Sequence, residues 1–250
     1  MKGGGCDQIE ERVMKKLILV VITCAALAAA YWGYSTTRPP FFETDTPLVA
    51  EEGPVDLLAD LDPKNLGPGW RERSFFRVTP ANYTLSEQDG TAVLRCTTDN
   101  SASILARDTD IALDDLSILS WSWQVTQPIE SDIDEATEAG DDHPLRFYMR
   151  FSNEQGETRG MEIIYSNRKY APGEYKIIGT FYHYVADGLA ENVGTWRDHS
   201  VDLRQIYTDI GGTGTPRIET LGFFCDSDNT GAKSDGMFRN VILSADTEQK

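Results

Sequence analysis

Between Leu145 and Phe151 every second residue is apolar: Leu145, Phe147, Met149 and Phe151 alternate with Arg146, Tyr148 and Arg150. A period of two sorts such sets onto opposite faces of a β-strand, whereas a helix of period 3.6 would mix them. The rhythm recurs in Trp121, Trp123 and Val125 against Ser120, Ser122 and Gln124. Further strands are expected over residues 92–97, 103–106, 161–165, 175–185, 197–201, 218–225 and 237–243. Turn residues separate them, among them Asp89-Gly90, Pro172-Gly173, Asp187-Gly188 and Asn229 to Gly231. The one helix expected in this part is short, around Leu203 to Tyr207. Many strands without alternating helices predict an all-β, antiparallel sandwich.

The start of the chain reads differently. Lys15-Lys16 precede residues 17–34, which carry no charge, and Ala28-Ala29-Ala30 supply small residues of the kind found at a cleavage site. The stretch also has the length of a membrane anchor, with Tyr31, Trp32 and Tyr34 in the place of an interfacial belt. It is therefore either a signal-peptide core or a transmembrane helix, and both send the bulk of the chain out of the cytoplasm. Cys24 follows Val21-Ile22-Thr23 and lacks the small residue that a lipoprotein signal places before its cysteine. Residues 1–16 form a leader or cytoplasmic segment. Its acids Asp7, Glu10 and Glu11 point to Met14 as the true start.

Residues 35–68, with Pro39-Pro40, Pro47, Pro54, Pro63 and Pro68, predict a tether in which Val55 to Leu61 forms a short helix. The sandwich follows over 69–244, and 245–250 is a tail. Location is then periplasmic or extracellular, with the membrane touched through residues 17–34 if these are retained. Cys96 and Cys225 reach an oxidising compartment together and are either a candidate disulfide or two free thiols packed as small hydrophobes in apolar strands.

The formal net charge is −17; the leader is net +1, so residues 31–250 carry −18. Such a surface repels nucleic acid and anionic lipid; it either suits cations or neutral partners such as sugars, or serves only to keep an exported protein soluble. Asp226-Ser227-Asp228-Asn229-Thr230-Gly231 resembles the first half of a calcium loop, but Met237 stands where that loop needs a glutamate. Asp226 and Asp228, with Asp235 or with a carboxylate from elsewhere in the chain, are candidate ligands for a structural Ca²⁺; a turn capped by its own Asp and Asn side chains is the plainer alternative. Seven acids crowd Glu130 to Asp142, predicting a solvated loop whose end, Asp141-Asp142, reaches Arg146. His143, His183 and His199 lack metal-ligand spacing. Neither a G-x-S-x-G elbow nor a phosphate-cradling glycine loop occurs. Asp142, Arg146 and His199 are the weak catalytic candidates. Tyr165, Tyr170, Tyr182, Tyr184 and Trp196 supply rings that either stack on sugars or fill the core.

The blocks fall in a characteristic order: Ser101-Ala102-Ser103, then Trp121-Ser122-Trp123-Gln124-Val125, then Gly140-Asp141-Asp142 leading to Arg146-Phe147-Tyr148. Gly194-Thr195-Trp196, Asp202-Leu203-Arg204 and Asp226-Ser227-Asp228-Asn229-Thr230 follow. Residues 70–244 thereby resemble the bacterial family catalogued as domain of unknown function 3047. The resemblance implies an exported β-sandwich and carries no established activity. Cys225 and His143-Pro144 depart from the family pattern. A fainter similarity, to jelly-roll carbohydrate-binding modules of the galactose-binding-like kind, lies in Trp196, Asp202-Leu203, Ile218 to Phe223 and Phe238-Arg239-Asn240-Val241.

The reading is a non-catalytic domain that binds a glycan or another envelope component through Asp141, Asp142, Arg146, Trp196, Asp226, Asp228 and Asn229. The alternatives are a carboxylate-dependent glycoside hydrolase or lyase on the same fold, and a purely structural envelope protein.

Overall fold

The computed structural model describes residues 14–29, 46–49 and 53–246. The first segment is a helix, α1 (14–29), whose side chains are exposed. Among the described residues no helix is long and apolar enough to cross a membrane. Residues 30–34 of the expected span, 1–13 of the leader, 35–45 and 50–52 of the tether and 247–250 of the tail lie outside the described residues.

The rest of the described chain is mostly β. In order come β1 (Val55–Asp56), β2 (Trp70–Ser74), β3 (Asn82–Gln88), β4 (Thr91–Asp99), β5 (Ala102–Ala112), β6 (Ile118–Gln127), β7 (Arg146–Ser152) and β8 (Thr158–Ser166). Then follow β9 (Tyr175–Ile178), β10 (Phe181–Gly188), β11 (Arg197–Asp202), α2 (Leu203–Asp209), β12 (Arg217–Asp226) and β13 (Lys233–Ser244). One sheet runs β11-β6-β13-β4-β3, with β1 added against β13. The other runs β2-β5-β12-β7-β8-β10-β9.

The alternation read in the sequence decides what lies between the sheets. Trp121 and Trp123 of the first sheet and Phe147 and Phe223 of the second are buried together, with Phe147 at 5.1 Å from both Trp121 and Phe238 between ring centroids. Each such ring contributes about 1.5–3 kcal/mol on burial. Cys96 on β4 and Cys225 on β12 form a disulfide from one sheet to the other, their Cα atoms 6.5 Å apart. The β3–β4 hairpin turns on Asp89 and Gly90, both at positive φ, as a two-residue turn of this hand requires.

Three expectations need correction. The sheets are not wholly antiparallel: β10 pairs in parallel with β8. The predicted strand 175–185 is a hairpin, β9 and β10, which turns at Gly179-Thr180. Its second strand lies against β8 and its first takes the edge, which makes β8 and β10 run the same way. Val55 to Leu61 is no helix. Asp56 accepts the Leu58 amide at 2.9 Å, bending the chain into turns that bury Leu57, Leu58 and Leu61 in the core. This end of the Pro-rich stretch is thus packed rather than free, as is Leu48, whose amide donates to Asp108 O at 2.8 Å.

Candidate functional site

The outward face of the seven-stranded sheet is read off its register. Tyr148 on β7 stands beside Glu162 on β8, Glu162 beside His183 on β10, and His183 beside Lys176 on β9. In the next row Arg146 stands beside Phe224 on β12, Phe224 beside Ile104 on β5, and Ile104 beside Arg73 on β2. These are the residues that alternate with the core-facing set, so the period of two makes them neighbours across strands distant in sequence.

Such residues would ordinarily be wet. Here the loops before β7 and after β12 approach them, and Arg146, Glu162, Lys176 and His183 are all buried. A buried charge needs partners, and each finds one. The Arg146 guanidinium donates through Nε to Asp226 Oδ1 at 2.9 Å and through Nη1 to Glu162 Oε2 at 2.6 Å. Its Nη2 donates to Asp226 Oδ2 and to the Asp141 carbonyl. Lys176 Nζ donates to Asp141 Oδ1 at 2.6 Å and to His143 Nε2 at 2.9 Å. His183 Nε2 stands 3.5 Å from both Asp141 Oδ2 and Glu162 Oε2.

The charge states follow from these contacts. Burial works against the charge on Arg146, but Asp226, Glu162 and Asp141 outweigh it and hold the group well above its usual range. Burial likewise opposes ionisation of Asp141; Arg146, His143 and His183 overcome it and hold the carboxyl far below the ordinary aspartate range. Burial, with the Lys176 and Arg146 charges adding to it, pushes His143 down to about 3. A neutral His143 with its proton on Nδ1 can donate to the Tyr165 carbonyl at 2.9 Å and accept from Lys176. Burial lowers Lys176, opposed first by Asp141. Burial raises Asp226, and Asp142 adds to this, yet the forked contact from Arg146 is the geometry of a guanidinium on a carboxylate.

Above this layer opens a pocket of about 320 Å³. Asp141, Arg146, Glu162, His183, Asp226, Asp228 and Asn229 supply polar groups, and Phe75, Tyr148, Phe181 and Phe224 supply rings. Tyr148 and Phe181 lie parallel at 6.4 Å. The Arg146 guanidinium covers Phe224 at 4.6 Å. A larger groove of about 380 Å³, lined by Thr79, Asn82, Thr97, Asp99, Gln127 and Lys233 among others, has no aromatic ring.

Of the residues singled out in the sequence, Asp141, Arg146, Asp226, Asp228 and Asn229 therefore share one pocket. Asp142 sits just behind it, fully buried, accepting the Asn229 and Thr230 amides at 3.2 and 2.6 Å and the Thr230 hydroxyl at 2.6 Å. It shapes the turn that carries Asp228. Trp196 is elsewhere, with the Arg239 guanidinium 4.0 Å above its ring. His199 is elsewhere too, 3.1 Å from Asp187 Oδ2 and packed on Trp121 and Trp123. Neither joins Asp142 and Arg146.

Asp235 does not join Asp226 and Asp228. It sits on β13 in a forked pair with Arg95, because register turns it toward β4. Asp142 takes its place: Asp142, Asp226 and Asp228 bring carboxylate oxygens within 4.8 Å of one another. This set fits Ca²⁺ poorly. Asp142 and Asp226 each already accept three hydrogen bonds, and Arg146 supplies Asp226 with a cation. Ca²⁺ needs six to eight oxygen ligands. The acidic loop also differs from expectation. Glu135 is buried and accepts from the Ser166 hydroxyl and the amides of Asn167, Arg168 and Lys169, which pins the loop over the sheet.

The family described as "Protein of unknown function (DUF3047)" matches residues 68–242. The chain belongs to this family. The matched segment contains both sheets apart from β1 and the end of β13, and every residue of the pocket wall. No curated protein matches the chain.

Sequence reasoning missed Glu162, Lys176, Tyr148, Phe181 and Phe224 as site residues. Alternation does turn them outward, but only the strand order shows that they face one another.

Proposed function

We propose that this domain is an exported, jelly-roll-type binding module that takes a glycan on the outward face of its seven-stranded sheet. The observation that carries the reading is the pocket itself. Hydrogen-bonding groups are held rigid by a buried ionic layer, and parallel rings of Tyr148 and Phe181 stand among them. Sugars present hydroxyls at their edges and apolar C–H faces, and such a wall meets both. Burying this many charges opposes folding, and sites that break the rule of an apolar or wet surface are characteristically functional.

Export, to periplasm or exterior, rests on Lys15-Lys16 and the uncharged stretch that follows, and on the Cys96–Cys225 bridge, which suits an oxidising compartment. Residues 17–34 then serve as a cleaved signal or as the anchor to the membrane.

A glycan array followed by calorimetry tests the reading. Replacing Phe181 by alanine should weaken binding at least tenfold, while W196A, remote from the pocket, should leave it unchanged. Binding unaffected by F181A would refute it.

One observation favours an enzyme instead. Asp141 is held ionised, while burial and Asp142 raise Asp228 in the same pocket, and carboxyls driven apart in this way divide acid and base roles. Release of reducing ends from a bound glycan would select this reading.

A further inference from the structure

The balance of charge and hydrogen bonding in the pocket narrows the ligand, given that the pocket is a glycan site. Its wall holds four carboxylates, Asp141, Glu162, Asp226 and Asp228, against the guanidiniums of Arg73 and Arg146. Asp141 is also met by Lys176, and Asp226 and Glu162 by Arg146. Asp228 alone among these four has no ion pair among the described residues. It is half-buried on the turn that Asp142 fixes, so its charge is neither fully hydrated nor neutralised.

A second, independent group is unmet. His183 is 1% exposed and lines the same pocket, and its buried Nδ1 has no hydrogen-bond partner among the described residues. Its Nε2 faces two carboxylates, Asp141 and Glu162. A proton on Nε2 suits those neighbours and leaves Nδ1 as an acceptor. The two unmet groups are then both acceptors, and one of them is an anion. Hydroxyls alone would supply donors but no charge. A divalent metal would supply charge but needs more free oxygens than this wall offers.

We propose that the pocket takes a glycan bearing a free, protonated amine, an amino sugar without its acyl group, with the ammonium placed against Asp228 and donors of the same ligand reaching His183. The rings of Tyr148 and Phe181 add an environment that also favours a cation.

The test is calorimetric titration of the full chain with two probes, the β-1,4 tetramer of glucosamine and that of N-acetylglucosamine, at a pH where the amines are protonated. The glucosamine tetramer should bind at least tenfold tighter at low salt, and the gap should shrink as salt is raised. The gap should close in D228N and persist in D99N, a change at an exposed residue outside the pocket. Equal affinity for the two tetramers, or a gap untouched by D228N in a variant that melts like the parent, overturns the inference. If D228N does not fold, the salt dependence of the parent decides: an unscreened gap overturns it. Binding of acetylated or other neutral glycans alone leaves the glycan reading standing and sinks the amine. Binding of no glycan at all sinks both.

Discussion

The ammonium of Lys176 donates to Nε2 of His143 at 2.9 Å in a place where neither side chain meets water. The contact requires a neutral imidazole. Burial first, and then this contact, explain why a histidine lies against Asp141 and Glu135 carboxylates, at 3.5 Å from each, and still gives up its proton.

A pH dependence follows. His143 is pushed down to about 3 in the fold, whereas in the unfolded chain it titrates near the ordinary value of about 6.5. Above that value both states are neutral and pH has no effect through this group. Below it the unfolded chain binds a proton that the folded chain refuses, so stability falls as pH falls. From pH 6.5 to 5 the loss should be about 1.6 kcal/mol. Urea titrations at several pH values measure it, and in H143Q this part of the slope should vanish. An H143Q curve with the same slope as the parent over that interval would contradict the assignment.

Arg146 holds Asp226 and Glu162 together. Replacing it by methionine fills much of the same volume but leaves two buried carboxylates unmatched, at a cost of about 3–5 kcal/mol. R146K should recover little of this, since an ammonium cannot make the forked contact. Denaturant midpoints of the two variants check the prediction; near-parental stability in R146M would mean that the ionic layer is wet.

The Cys96–Cys225 bridge closes a loop with a sequence separation of 129 and ties the two sheets. Loop-closure entropy predicts that its removal costs about 4–5 kcal/mol. The double variant C96A/C225A, compared with the parent by chemical denaturation under oxidising conditions, measures this directly. No difference would show that the parent isolates as the dithiol.

How far the sequence foretold this molecule depends on the range of the signal. Local alternation is a property of neighbours, so Phe147, Met149 and Phe151 inside and Arg146 and Tyr148 outside were legible. So were the helix at Leu203 and the turn at Asp89-Gly90. The binding set read from the sequence also held Asp142, which lies behind the pocket, and Trp196, which lies elsewhere; Asp141, Arg146, Asp226, Asp228 and Asn229 line the pocket, whose shape the sequence did not show. What could not be read is set by pairing across long separations. Lys176 sits in a short edge strand and looks like a solvated lysine until β9 is laid beside β10. Glu135 looks like one more acid in a charged loop until the Ser166–Lys169 turn presents it with three amides and a hydroxyl. The parallel β8–β10 pair depends on which strand of a hairpin docks, and no local pattern encodes that choice.

The central claim is that ligands enter on the outward face of the seven-stranded sheet. Amide NMR spectra of the ¹⁵N-labelled full chain, titrated with the tightest-binding oligosaccharide of the array, test it most directly. Perturbations should gather at Tyr148, Glu162, Phe181, His183, Phe224 and Asp228. Perturbations gathered instead around Thr97, Asp99 and Lys233, or around Trp196, would contradict the account.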